Sequence, residues 1–286
     1  MPADDAIQCL TRHATDPFEP MNLRLPAFAA VCLLLTACAT GPRQAALDAE
    51  VNATIQASDW AARSQVTGLA APLNWNHKSF GDRRPTRYQP VFHEGRPALH
   101  ANSFGGNSSM RVTVPATAGA RNGRLRFSWF VPALIDQADL KNSEVDDAVA
   151  RIILLFGGDR DNRFSARDHV LSELANLISG EPLPYATLIY VWDNRYPTGS
   201  VIANPHTTRI RHLVLESGPQ RLGQWVDFER DVQADYQQVF GEAPGPLVSI
   251  GIMTDSNNTG ATAQAWFGPL TLTAGEGPTA AGGEAR

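Results

Sequence analysis

The chain has 286 residues, of which 43% are hydrophobic, and its formal net charge is −5. This length corresponds to one large or two small domains, and the hydrophobic content is enough for a sizeable core. Because no basic run is present to neutralise phosphates, a nucleic-acid partner is disfavoured.

The N-terminal region has the pattern of a bacterial lipoprotein signal peptide. From Met21 the chain continues with a short basic region, an apolar stretch from Leu25 to Leu35, and small residues before Cys38. The apolar stretch has the length of a secretory signal and is too short to span a bilayer as a mature helix. The segment Leu35-Thr36-Ala37-Cys38 resembles the lipobox, in which the cysteine is acylated and becomes the first mature residue. The alternative is a buried apolar helix, although nothing amphipathic surrounds the run.

This resemblance implies how the N-terminus is processed. We expect residues 1–20 to be an upstream extension that is not translated, with an extended n-region as the alternative, residues 21–37 to be the signal peptide, and Cys38 to carry the lipid. In the lipoprotein class, Asp after the cysteine marks retention in the inner membrane. Because Ala39 stands there, we expect an outer-membrane lipoprotein that faces the periplasm or the cell surface.

Cysteine usage fits export without disulfides. Cys9 and Cys32 lie upstream of the predicted cut, so no thiolate pair remains for a disulfide or a metal site. No metal or cofactor is predicted. We assign residues 38–68 to a tether, in which Leu47, Val51 and Ile55 form only a weak helical stripe.

Short strands dominate residues 69–272, which we predict to be a single β-rich domain, followed by a disordered tail over residues 273–286. In one strand Leu125, Phe127 and Trp129 alternate with polar residues, as expected for a half-buried strand. The other predicted strands are Asn74 to Phe80, Tyr88 to His93, Ala98 to Asn102, Ser109 to Val114, Ala148 to Phe156, Ala186 to Trp192, Arg209 to Glu216, Trp225 to Arg230, Leu247 to Thr254 and Thr262 to Leu272. Many short strands separated by turns indicate an all-β, antiparallel sandwich or barrel.

Two short helices are predicted among these strands. The first covers Ser165 to Ser179, begins with a capping pair of Ser165 and Asp168, and ends at Gly180. Its apolar residues are expected on one face, and they are Val170, Leu171, Leu174, Leu177 and Ile178. The second helix covers Val232 to Phe240. Helices this few do not form alternating βαβ units, so a parallel sheet is disfavoured.

No catalytic motif is recognisable in the chain. The sequence lacks a Gly-x-Ser-x-Gly elbow, a His-Glu-x-x-His pair, a Walker loop and a Rossmann glycine fingerprint. Four carboxylates remain as candidates for acid and base work, namely Asp147, Asp193, Glu216 and Asp255. Glycoside cleavage would need two of them to flank one bond, and the sequence does not show their separation.

Charged groups within apolar strands are the first candidates for a site. Arg151 shares a strand face with Val149, Ile153 and Leu155, so its guanidinium is either paired beneath the sheet or exposed in a groove. Asp146 and Asp147 lie just upstream as possible partners. Both readings, a structural ion pair and a ligand-facing arginine, stay open.

Two further stretches combine groups that hold sugars. Trp192-Asp193-Asn194-Arg195-Tyr196 closes an apolar strand, and its aromatic, carboxylate, amide and cationic groups suit a sugar as well as they suit core packing. Trp266 is a possible second aromatic platform. Asp255 to Gly260 is a polar turn between two strands, where turn capping, ligand binding and calcium coordination by oxygen ligands are all possible.

Several motifs in the second half of the chain resemble the bacterial domain-of-unknown-function family 3047. They are Trp192 with Gly199, Arg209 to Gly218, Trp225 to Gly241, Thr254 to Gly260, and Ala265 to Gly268. The likeness covers Leu73 to Leu272 and agrees in the order and spacing of the motifs. It implies an exported protein with a jelly-roll sandwich similar to carbohydrate-binding domains and no assigned activity. Asn257 stands where the family pattern has a second acidic residue, which argues against a metal there.

Three functional hypotheses follow. The first is a non-catalytic, lipid-anchored sandwich that binds a glycan or another envelope component. Its predicted ligand-binding residues are Asp147, Arg151, Trp192, Asp193, Asn194, Arg209, Asp255 and Asn258. The second is a hydrolase or lyase that acts on glycans through paired carboxylates. The third is a structural envelope lipoprotein that contacts another protein.

Overall fold

The computed structural model describes residues 40–67, 69, 72–80, 83–115 and 123–273. The predicted upstream extension, the signal peptide and Cys38 lie outside the described residues, as does residue 274 onward of the predicted tail. Among the described residues, none of the helices has the length and hydropathy that a membrane span requires.

The described residues form fourteen strands and five helices. The strands are β1 Gln65–Val66, β2 Trp75–Ser79, β3 Arg87–His93, β4 Arg96–Phe104, β5 Ser108–Thr113, β6 Arg124–Phe130, β7 Ala148–Phe156, β8 Ala186–Asp193, β9 Val201–Ala203, β10 Ile210–Ser217, β11 Trp225–Asp231, β12 Leu247–Asp255, β13 Thr262–Phe267 and β14 Thr271–Thr273. The helices are α1 Thr40–Gln56, α2 Asp59–Arg63, α3 Arg160–Arg163, α4 Ala166–Ser179 and α5 Val232–Phe240. Each predicted strand overlaps an observed one, and β1 and β9 were not predicted.

Two seven-stranded sheets face each other, which confirms the predicted β-rich sandwich. The first sheet has the order β1-β14-β6-β13-β4-β3, and β11 pairs with the free edge of β6. The second has the order β2-β5-β12-β7-β8-β10-β9. The pairs are antiparallel except for β1 with β14 and β8 with β10, which are parallel. The parallel pair of β8 and β10 arises because β9 folds back between them in the sequence and pairs with the outer edge of β10.

The core between the sheets is rich in aromatic residues. Trp75, Trp129, Tyr190 and Trp192 are among its largest fully buried side chains. In β6 the predicted alternation holds from Arg124 to Phe127, where Leu125 and Phe127 are buried while both arginines are exposed, but from Ser128 onward every residue is buried. Alternation of this kind fixes which residues of each strand reach the outer face of a sheet.

Helix α4 has the predicted ends but not the predicted burial. Ser165 and Asp168 form a reciprocal capping box, and Gly180 adopts the left-handed conformation that ends the helix, with φ 74°. The apolar stripe was expected to face the core. Instead Val170, Leu174 and Leu177 are 68%, 49% and 82% exposed, because the helix turns Ser172 and Ala175 toward the second sheet.

The segment predicted as a tether differs from that expectation. From Gln44 the chain belongs to the same compact unit as the sandwich. Helices α1 and α2 bury Ile55 and Trp60 in the main core, and Trp60 lies 4.8 Å from Trp75 between ring centroids. The domain therefore begins earlier than residue 69. The weak stripe did not reveal this, because α1 is anchored largely by polar contacts, such as that of Asn52 with the backbone of His77.

Candidate functional site

A polar cavity of about 420 Å³ lies at the end of the second sheet where β7 begins and β12 ends. We call this the polar cavity. Its described lining residues are Arg83, Asn107, Ser143, Glu144, Asp146, Arg151, His206, Asp255, Asn257 and Asn258. Three of the predicted ligand-binding residues, Arg151, Asp255 and Asn258, are among them. The topology brings them together because β7 and β12 are antiparallel neighbours.

Arg151 and Asp255 form a buried ion pair in the wall of the polar cavity. Arg151 Nε donates to Asp255 Oδ1 at 2.9 Å, and Nη2 donates to Oδ2 at 3.2 Å. The two side chains are only 8% and 9% exposed. Asp255 Oδ1 also accepts from the backbone N–H of Ala148 at 3.2 Å. Burial of two opposite charges requires this degree of pairing, since an unpartnered charge would be strongly destabilising.

His212 is a further hydrogen-bond partner of the Arg151 guanidinium. Arg151 Nη1 donates to His212 Nε2 at 2.9 Å, so that ring nitrogen is the acceptor and the imidazole is neutral. Burial, together with the charge of Arg151, lowers the pKa of His212 to about 3. His212 was not predicted as a site residue. It sits in an apolar strand and reaches Arg151 only through the lateral order of β7, β8 and β10.

Asp147 holds the turn after β12 and does not line the polar cavity. Its Oδ1 accepts from the backbone N–H of Asn258 at 3.2 Å, and its Oδ2 accepts from Thr259 N at 2.7 Å and Oγ1 at 2.6 Å. In return, Asn258 Nδ2 donates to the carbonyl of Ser143 at 3.1 Å and to the carboxylate of Asp146. The two loops are thus tied together, which gives one wall of the cavity a fixed shape.

Two carboxyl groups of the polar cavity have raised pKa values. Burial raises the pKa of Asp255 to about 6, although Arg151 opposes the shift. Burial also raises the pKa of Asp146 above its ordinary value, again against the effect of Arg151. Both groups are therefore easier to protonate than a solvated aspartate.

Trp192, Asp193 and Asn194 do not face the polar cavity, which corrects the prediction for this stretch. Trp192 is buried in the core, where its indole Nε1 donates to the carbonyl of Gly218 at 3.1 Å. Asp193 Oδ1 accepts from the backbone of Arg195 at 2.6 Å and caps a turn. Asn194 Nδ2 binds the carbonyls of Ile135 and Ala138 at 3.0 and 3.1 Å. All three have structural roles. The even-numbered face of β8 points into the sandwich, Asp193 caps the loop after the strand, and Asn194 ties that loop to the segment after β6.

Arg209 lies toward the opposite end of the second sheet. The next residue, Ile210, pairs with Thr187, whereas Arg151 pairs with Val191 four residues farther along β8, roughly 13 Å away. Arg209 forms an ion pair with Glu242 at 2.8 Å and lies over the ring of Tyr185 at 4.0 Å. It therefore does not share the cavity with Arg151.

Trp266 is not a free platform. It lies on the first sheet, where His93 and His100 stack on its two sides at 4.1 and 4.4 Å between ring centroids. Of the four candidate carboxylates, only Asp255 lines the polar cavity. Glu216 instead forms an ion pair with Arg221 at 3.2 Å.

One constellation found only in the structure has the contact order of a Ser-His-Asp triad. His77 Nδ1 lies 2.9 Å from Asp48 Oδ1, and His77 Nε2 lies 2.9 Å from Ser108 Oγ. Ser108 is fully buried, and its Oγ also accepts from the backbone N–H of Thr86 at 2.9 Å. Ser108 does not line the polar cavity, and its hydrogen bonds with His77 and Thr86 hold it in place, so these contacts fasten α1 to β2 and β5. Elsewhere in the described residues no group of three or more His, Cys, Asp or Glu side chains is placed to hold a metal ion.

Comparisons with known proteins give a family and distant structural likenesses. Residues 73–271 match the family described as "Protein of unknown function (DUF3047)". No curated protein matches the chain. Among solved structures, the xyloglucanase domain of NopAA, a type three effector from Sinorhizobium fredii in complex with cellobiose, is 9% identical, with a TM-score of 0.37, over 70% of this chain and 92% of that chain.

Two other solved structures are similar at the same distance. A family 12 glycoside hydrolase from a study of thermal stability is 12% identical, with a TM-score of 0.30, over 75% of this chain and 91% of that one. The endo-1,4-beta-glucanase CelB2 is 11% identical, with a TM-score of 0.29, over 73% of this chain and 90% of that one.

Proposed function

This chain belongs to the DUF3047 family of proteins of unknown function, and we propose that it is a lipid-anchored envelope protein whose sandwich binds a hydroxyl-rich ligand without catalysis. The ligand class is a glycan or another polar component of the cell envelope. The binding site is the polar cavity. The lipid is carried by Cys38, as the lipobox-like sequence before it implies.

The observation that carries this proposal is the convergence of Arg151, Asp255 and Asn258 with Asp146 on one cavity. Hydroxyl groups donate and accept hydrogen bonds, and the lining supplies guanidinium donors, carboxylate acceptors and amides that do both. A volume of about 420 Å³ is within the usual range for a small-ligand site. With Arg151 and Asp255 already paired, specificity would depend on the more exposed groups at the rim.

Binding is tested by a glycan array and a thermal-shift screen of the full chain. Glu144 and His206 are exposed rim residues, so Glu144→Ala and His206→Ala should each weaken binding several-fold and leave the melting temperature unchanged. Glu173→Ala, on the exposed side of α4, is the matched control. If no glycan binds, or if the rim variants bind as tightly as the control, the proposed site is wrong.

Lipidation is tested separately by labelling cells with an alkyne analogue of palmitate. The protein should incorporate the label and sediment with membranes, and Cys38→Ser should do neither. Label that persists on Cys38→Ser would contradict the anchor without affecting the proposed cavity.

A hydrolase remains a second candidate because of one observation. Asp146 and Asp255 both line the polar cavity and both have raised pKa values, as a general acid requires. Glycans found to bind should then be cleaved, and Asp146→Asn should abolish the release of reducing ends while binding persists. Bound glycans that stay intact would leave the non-catalytic proposal standing.

A further inference from the structure

A second pocket, of about 330 Å³, lies between the outer face of the second sheet and the segment that crosses over it. We call this the apolar pocket. Its floor includes Ile153 of β7 and Ile189 of β8, which are directly paired. Its roof includes Ala175 of α4 and the loop from Pro182 to Pro184. These walls suit an aliphatic chain, because enclosed apolar surface favours ligands that leave water.

Polar donors without partners stand at one end of the apolar pocket. Ser109 is fully buried, and its hydroxyl has no hydrogen-bond partner in the described part of the chain. The same holds for Nε of Arg111, which follows Ser109 on the same face of β5. A buried donor left unpaired is destabilising, so a group that accepts from both would be held strongly.

The position of Arg111 depends on a glycine in the neighbouring strand. A Cβ on Gly251 would lie 3.0 Å from Cγ of Arg111 and 3.5 Å from its Cδ. The absence of a side chain at this point of β12 therefore lets the arginine lie across the sheet toward Ile153, which also pairs with Gly251.

The boundary between the apolar pocket and an adjoining cavity has an excess of positive charge. Glu181 forms ion pairs with Lys78 at 2.5 Å and with Arg111 at 2.9 Å. Lys78 and Arg160 line the adjoining cavity, of about 440 Å³, and Arg111 and Glu181 line both cavities. Partial burial opposes ionisation of Glu181, but its contacts with Lys78 and Arg111 lower its pKa, so it is a carboxylate. One acid among three bases favours an anionic ligand.

We propose that the apolar pocket binds an anionic amphiphile, an aliphatic chain that ends in a carboxylate. The chain lies between Ile153, Ile189 and α4, and the carboxylate accepts from Ser109 Oγ and Arg111 Nε. This proposal does not depend on the glycan site, because Arg151 and Asp255 of the polar cavity take no part in it. Helix α4 forms part of the roof of the pocket, and on its other side it exposes Val170, Leu174 and Leu177. A lipid-like molecule would contact this apolar surface before it enters the pocket.

The test is calorimetric titration of the full chain with three probes: decanoate below its micelle concentration, 1-decanol and acetate. Decanoate should bind at least about tenfold more tightly than either of the others, since it combines the chain with the charge. Acetate that binds as well as decanoate would indicate an anion site only. Decanol that binds as well would indicate an apolar cavity only, and either result would overturn the proposal, as would the absence of decanoate binding.

Variants locate the binding. Arg111→Gln and Ser109→Ala should each weaken decanoate binding, by about tenfold for the arginine. Arg126→Gln, an exposed arginine of the first sheet, is the control. Ile189→Trp fills the pocket from its floor and should abolish binding, and Ala175→Phe does so from the roof if the first variant folds poorly. Decanoate affinity that is unchanged in Arg111→Gln and in whichever filling variant folds would refute the site.

Discussion

The polar cavity and the apolar pocket lie on the same face of one sheet and differ in how far their polar groups are satisfied. Arg151 and Ile153 are two residues apart on β7, and one lines the polar cavity while the other forms the floor of the apolar pocket. The guanidinium of Arg151 makes contacts with Asp255, His212 and the carbonyl of Asp146. Arg111, in contrast, keeps one buried N–H, that of Nε, without a hydrogen-bond partner among the residues that the structure describes.

A charged residue that is conspicuous in its strand is therefore not the same as a group that is free to bind a ligand. Arg151 stands out in the sequence because an arginine within an apolar strand needs partners, and the fold supplies them. Its donors are therefore largely occupied before any ligand arrives. Ser109 and Arg111 look ordinary in the sequence, yet Ser109 Oγ and Arg111 Nε have no hydrogen-bond partner within the described ranges.

The largest expected effect comes from breaking the buried pair. Arg151→Ala should lower the free energy of unfolding by about 3–5 kcal/mol, because the buried Asp255 would lose its counter-charge and would either remain as an unpaired charge or take up a proton. Urea denaturation measures this. Arg111→Ala is the matched control in the apolar pocket and should cost less than about 1 kcal/mol, since its partner Glu181 is 43% exposed and can be solvated.

The same prediction can be checked by removing both charges. Arg151→Met combined with Asp255→Leu should recover much of the stability lost in Arg151→Ala, because no unpaired charge remains. Equal losses for Arg151→Ala and Arg111→Ala would remove the contrast between the two regions.

The pH dependence of the polar cavity should be altered by His212→Gln. The folded pKa of His212, about 3, lies below its ordinary 6.5, so its contribution to stability is lost as pH falls through that interval. The folded pKa of Asp255, about 6, lies above its ordinary 3.8, so its contribution increases as pH falls from 6 toward 3.8. The two contributions oppose each other in the wild type.

His212→Gln keeps an acceptor for Arg151 and removes one of these contributions. Relative to wild type, the variant should gain about 1.4 kcal/mol per pH unit as pH falls from about 6 to 4. Denaturation curves at several pH values measure the gain, and the exposed His169→Gln serves as the control. A constant difference between variant and wild type across this range would show that His212 does not resist protonation.

The smallest change in the unfolding free energy is expected when two buried hydroxyls are compared, one with hydrogen-bond partners and one with none among the described residues. Ser256 and Ser109 are both fully buried. Ser256 Oγ lies 2.8 Å from Ser103 Oγ and accepts from the N–H of Gly105 at 3.1 Å, so Ser256→Ala should lower the unfolding free energy by about 1–3 kcal/mol. Ser109→Ala should change it by less than about 0.5 kcal/mol or raise it, because no hydrogen bond to a described residue is lost. Comparable losses for both would imply that Ser109 has a partner, such as a water molecule.

Much of the fold could be predicted because strands and caps are local signals. The alternation in β6, the capping box at Ser165 and the stop at Gly180 each depend on residues close in sequence. The burial of α4 could not be predicted in this way. Its stripe of Val170, Leu174 and Leu177 has the spacing of a core face, but the sheet beneath α4 meets Ala175 instead.

The candidate site was predictable only in part. Asp255 and Asn258 stand in a polar turn that the sequence displays, and Arg151 is conspicuous in its strand. The end of β8 carries groups of the right chemistry in Trp192, Asp193 and Asn194. The pleat of β8 turns Trp192 into the core, and hydrogen bonds to loop backbone occupy Asp193 and Asn194. The residue types by themselves do not show which way their side chains point.

The sequence by itself determined the β-rich class, the polar turn after β12, the need of Arg151 for a partner and the family to which the chain belongs. It did so because alternation, turn residues and buried charge are properties of a few neighbouring residues. Only the tertiary structure decided which charges meet, that His212 stands beside Arg151, and that Ser109 and Arg111 open on an apolar pocket. Those facts depend on the lateral order of β5, β12, β7, β8 and β10, which is set by long-range packing between segments far apart in the chain.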